Sequence, residues 1–88
     1  MTTPLEHLIN KVNTRSVECK SASHIYFHDP VVRNQVQYDK FYEQNRCLSK
    51  VGHVIHHRQR LVKFSRTNAF TKCPSDIIYE VNEYLNTP

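Results

Sequence analysis

The chain has 88 residues, with 12 Lys and Arg against 8 Asp and Glu and a formal net charge of +4. That length predicts a single domain over 1–88 with a small core of marginal stability, and hydrophobic residues spread along the whole chain exclude a disordered tract. No apolar run reaches the roughly 20 residues that span a bilayer, the first residues lack the layout of a secretory signal, and a lone glycine argues against tight hairpins.

Thr3-Pro4-Leu5-Glu6 has the chemistry of a helix start. Thr3 is placed to cap, Pro4 suits the first helical position, and Glu6 completes a capping box. Leu5, Leu8, Ile9 and Val12 recur at helical spacing, which predicts a helix over 4–13. Residues 23–28, SHIYFH, have the β-branched and aromatic content of a strand but no partner, so an extended segment packed over the core is expected there. Asp29-Pro30 repeats the cap-then-proline logic and predicts a second helix over 30–48. Val31, Val32, Val36, Tyr38, Phe41 and Tyr42 make it broadly apolar.

Residues 49–66, SKVGHVIHHRQRLVKFSR, carry five Lys or Arg, three His and no acid. One reading makes 53–56 and 61–64 a hairpin in an α+β fold, but the turn lacks Gly, Asn or Asp and the alternation is poor. A helix over 50–65 sorts the residues better. Leu48, Val51, Val54, Ile55, Leu61 and Val62 share one arc, and Arg46, Lys50, His53, His56, His57, Arg60 and Lys63 share the other. Only Arg58 and Phe64 break the sorting, and Gly52 costs about 1 kcal/mol within the helix. A connection over 68–76 leads to a last helix over 75–86, with Ile77, Ile78, Val81, Tyr84 and Leu85 inward and Asp76, Glu80 and Glu83 outward. The fold expected is mainly α, a small compact domain of about four helices.

Charge is segregated. Residues 44–73 hold Arg46, Lys50, Arg58, Arg60, Lys63, Arg66 and Lys72 with no acid, whereas 1–43 balance and 74–88 hold only Asp76, Glu80 and Glu83. Arg46, Lys50, His53, His57 and Arg60 are spaced 4, 3, 4 and 3 apart, a ridge of about 21 Å at the helical rise. With His56, Lys63 and Arg66 it forms the candidate site. A ridge of this kind suits the phosphate backbone of DNA or RNA, with salt-dependent affinity from counterion release. Few Asn or Gln stand ready to read base edges, so backbone contact is expected over sequence reading. Phe64 and Phe70 are candidate stacking platforms, and protonation of the imidazoles near pH 6 predicts tighter binding to a polyanion. The plainer reading is a solvated helix face paired with the acidic stripe of the last helix, but three acids do not neutralise seven bases. A helix-turn-helix with Gly52 at its turn would put Arg58 where a buried residue belongs.

The function expected is therefore a small, basic, non-enzymatic nucleic-acid-binding accessory or regulatory protein. It is expected to act as a homodimer, with Val31, Tyr38 or Tyr42 at the seam. The alternative is a protein-interaction module, an inhibitor or adaptor, docking its basic and aromatic surface on an acidic partner. Neither reading involves a membrane. Cys19, Cys47 and Cys73 are odd in number and lack CxxC spacing, which predicts reduced thiols in an intracellular protein, cytoplasmic or nuclear. Cys19-His24-His28 and Cys47-His53-His57 share a loose C-x4/5-H-x3-H pattern, but buried thiols beside surface imidazoles are the simpler state, so neither a metal nor another cofactor is expected. The chain has no Gly-rich phosphate loop, no HExxH and no GxSxG. The one catalytic reading, a nuclease using His53, His56 or His57 with Arg60 on phosphate, is the weaker one.

Overall fold

The capping box forms as its residues predict. In the computed structural model of the protein, which describes residues 2–87, the Glu6 amide donates to the Thr3 hydroxyl at 3.1 Å and the Thr3 amide donates to the Glu6 carboxylate at 3.4 Å. From this cap α1 runs unbroken over Pro4–His28, 25 residues, well past the end expected at 13. No Gly or Pro interrupts residues 14–28. Leu8, Val12 and Cys19 continue one buried face. The β-type content of 23–28 is overridden by packing, so the extended segment expected there is the last part of α1. Tyr26 stacks on Phe41 at 5.7 Å, and Phe27 lies 5.0 Å from Tyr38.

Asp29 ends a helix instead of opening one. The residue before a proline is disfavoured in the α region, and Asp29 takes ψ 114° as the C-cap of α1. Its carboxylate accepts the Val31 amide at 2.9 Å, closing a side-chain turn. Asn34 then caps α2, accepting the Gln37 amide at 3.2 Å, and α2 spans Gln35–Val54. The second helix thus starts later than 30 and ends beyond 48. The helices α1 and α2 pair antiparallel: the Ser16 hydroxyl meets the Asn45 side chain at 3.1 Å, and Tyr26 and Phe27 meet Phe41 and Tyr38.

The helix expected over 50–65 is two pieces. Following Ile55, the His57 amide bonds back to the Val54 carbonyl at 2.8 Å, and an extended His57 leads into α3, Arg58–Ser65. The break changes the helical phase, so that Leu61 and Phe64 both enter the core beside Ile55. It also accounts for both exceptions to the single-helix sorting. Phe64 is buried, not out on a wet face, and packs edge-on against Phe70 at 5.8 Å. Arg58 donates to the Leu85 and Thr87 carbonyls at 2.6 and 2.9 Å, at the end of the last helix, with its guanidinium 5.3 Å from the Tyr84 ring centre. No strand occurs among the described residues, so the hairpin alternative is not supported.

A short 3-10 helix, Asn68–Lys72, carries Phe70 inward, and α4 follows over Ser75–Asn86 as expected, with Ile77 and Val81 buried. The four α-helices contribute to one core, in which Leu8, Leu48, Val51, Leu61, Ile77 and Val81 are almost fully enclosed. Among the described residues, no helix is long and apolar enough to cross a membrane.

The expectation of reduced thiols is overturned at two of the three cysteines. Cys47 on α2 and Cys73 after the 3-10 helix form a disulfide with Cα atoms 5.3 Å apart. Residues 66–73 fold back over α2 and bring Cys73 to Cys47, a pairing that residue spacing alone does not reveal. Cys19 is the remaining thiol; it is buried, and that burial pushes its pKa up against the opposing pull of Arg15.

Candidate nucleic-acid interface

Two of the three acids of α4, Asp76 and Glu80, are committed away from the basic segment. On α4, Glu80 takes Lys11 at 3.1 Å and lies 3.6 Å from His7, and Asp76 takes Arg15 at 3.1 Å. Glu18 also pairs with Arg15, and these carboxylates push the pKa of its guanidinium up. Asp76 and Glu80 of α4 therefore face α1, not the basic residues of α2 and α3.

Of the seven bases between 44 and 73, two have partners: Lys72 pairs with Glu43 at 3.3 Å, and Arg58 is held by the end of α4. Arg46, Lys50, Arg60, Lys63 and Arg66 are exposed and make no ion pair among the described residues. Their arrangement follows from the break after Ile55. Arg46 and Lys50 lie one turn apart on α2, and His53 continues that side by a further turn. Arg60 lies one turn before Phe64 on α3, Lys63 follows it at i+3, and Arg66 is the C-cap residue. His56 and His57 sit in the turn between the helices, both exposed.

The straight 21 Å ridge is thus corrected to two cationic banks on separate helices. Between α2 and the 3-10 helix lies an open cleft of about 430 Å³. Arg46, Lys50 and Lys72 supply its charge, Glu43 answers Lys72, and Cys47, Phe64 and Ala69 give it an apolar floor. The disulfide holds that floor together, because Cys47 lines the cleft and Cys73 directly follows the 3-10 helix.

Such a site can hold anions. No polar or charged side chain is buried among the described residues, and no group of three or more His, Cys, Asp or Glu is placed to share a metal ion. Cys47 is bonded to Cys73, which removes it from any set with His53 and His57. His24 and His28 do share a helical face, with ring centres 4.3 Å apart, but Cys19 is buried while both rings are exposed.

Two expected stacking platforms drop out. Phe64 and Phe70 are core residues, 8% and 4% exposed; Phe64 only contributes to the cleft floor and Phe70 does not line the cleft. Three others enter unforeseen. Glu43 and Lys72 close one side of the cleft, and Tyr42 stands one turn before Arg46 on α2. The i+4 step from Tyr42 to Arg46 was the available signal, obscured because the tyrosine fell within a helix read as apolar. The chain matches no protein-family model, no curated protein and no solved structure.

Proposed function

We propose that the protein is a small non-enzymatic accessory or regulatory protein that binds nucleic acid through its phosphate backbone. The observation that carries this reading is the separation of charge. Five exposed cations, Arg46, Lys50, Arg60, Lys63 and Arg66, have no acidic partner among the described residues, while Asp76 and Glu80 are paired with α1. Cations left in this state attract a polyanion and release its counterions on contact. If all five engage a duplex, log K falls with log salt at a slope of about −4.5.

A mobility-shift titration at two salt concentrations tests the proposal. Arg60→Glu combined with Lys63→Glu is expected to abolish most of the affinity. Unchanged binding by the double variant, or a flat salt response in the parent, overturns it.

A second reading, docking on an acidic protein, draws support from exposed Ile25, Val31, Val36, Tyr42 and Tyr79, because aromatic and Arg anchors dominate protein interfaces. Capture of a partner that survives nuclease treatment selects it over the first. An intracellular site belongs to the proposal as well, and the Cys47–Cys73 bridge weighs against it, since disulfides persist mainly in oxidising compartments.

A further inference from the structure

We infer that the nucleic acid held by this surface is single-stranded, with an unpaired base extending a column of aromatic rings that ends at Tyr42. The inference rests on the nucleic-acid reading above and adds the class of ligand to it. Phe27, Tyr38 and Tyr42 lie in sequence, with ring centres 5.0 Å apart at 41° and then 5.7 Å apart at 28°. Arg33 lies over Phe27 at 5.8 Å and covers the start of the column. Among the described residues the other end has no aromatic cover beyond Tyr38, and Tyr42 is 47% exposed.

The column leads onto the cations. Tyr38, Tyr42, Arg46 and Lys50 follow one another at i+4 along α2, a line of about 18 Å that winds slowly around the helix. Stacking rings continued by backbone-binding charges are the two components of single-strand recognition, and stacking tolerates any base because every base has a π face. In a duplex the bases are already paired and stacked, so the Tyr42 ring would be left without a partner.

The column is not explained by the core. No residue from Lys20 to Arg46 is buried, so these rings pack outside the enclosed cluster. The carboxylates on this side of α2 have other engagements: Asp39 accepts the Gln35 side chain at 2.9 Å and Glu43 pairs with Lys72.

Fluorescence anisotropy with a labelled oligothymidine and with a blunt duplex of equal length tests the inference. Tyrosine emission serves as a second readout, since the chain has no tryptophan. The parent is expected to prefer the single strand. Tyr42→Leu is expected to lose about tenfold in single-strand affinity with little change on the duplex, and Tyr42→Phe to retain it. Melting curves confirm that both variants fold.

Equal affinity for both ligands together with no effect of Tyr42→Leu overturns the inference and leaves the phosphate grip standing. Failure of the parent to bind either ligand overturns the nucleic-acid reading itself. Dissociation of a parent dimer by Tyr42→Leu, with unchanged single-strand affinity per chain, also overturns the inference, because the column is then a seam between copies.

Discussion

Reducing the Cys47–Cys73 disulfide isolates what loop closure contributes to this fold. The bridge spans a sequence separation of 26 residues. On the chain-entropy model a loop of that size is worth about 3.5 kcal/mol at 25 °C. An 88-residue chain unfolds with an entropy on the order of 0.18 kcal/mol/K, so the melting temperature should fall by about 20 °C. Reduction leaves both sulfurs in place. A Cys47 thiol would find the Phe70 carbonyl 3.8 Å from its sulfur, so packing is largely retained and the closure itself is measured. The assay is thermal unfolding by circular dichroism with and without a phosphine reductant, together with thiol titration in denaturant. One thiol, that of Cys19, should titrate before reduction and three after it. A melting temperature within a few degrees of the parent's, with three thiols titrating, would refute the reasoning.

Two substitutions probe either side of the break after Ile55. Gly52 lies within α2, and a Cβ added there meets nothing within 4 Å, so Gly52→Ala should stabilise by about 1 kcal/mol. That appears as a melting temperature raised by about 5 °C, and no gain would mean that the last turn of α2 contributes little in solution. Arg58→Ala removes the donors at the Leu85 and Thr87 carbonyls and the contact with Tyr84, a loss of about 1 kcal/mol for an exposed group at a helix end. Its nucleic-acid affinity should stay close to the parent's, whereas Arg60→Glu, two residues along, should weaken binding severalfold.

Local chemistry was legible where one element decided its own fate. Thr3-Pro4-Leu5-Glu6 opens α1, and the apolar spacing from Ile77 to Leu85 marks α4 to its ends. Errors arose where tertiary contacts overrode local preference. The β-branched and aromatic run 25–27 reads as strand until α2 lies beside it, and Asp29-Pro30 opens a helix equally well as it closes one. The break after Ile55 left a trace in the two misplaced residues, Arg58 and Phe64. A single wheel with two exceptions was in fact two wheels out of phase. The charge imbalance was fully visible, but its division into two banks depends on the break, and the cleft depends on the return of residues 66–73 over α2. Neither the Cys47–Cys73 pairing nor the Lys72–Glu43 pair has a local cause, so neither has a local signal.

The buried residues of the core stop at Cys19 on α1 and resume at Cys47 on α2, with Phe41 packed against them from outside. Everything between is an arm of paired helices held by ring contacts and a few hydrogen bonds, which gives the molecule two tiers of stability. Backbone amides of the arm should exchange with solvent through openings smaller than global unfolding, while those around Leu48, Leu61 and Ile77 wait for the whole chain to open. The line from Tyr38 to Lys50 crosses the boundary between these tiers. A ligand bound along it ties the arm to the base, so occupancy would be recorded as slowed exchange far from any phosphate, in the turn around Val31.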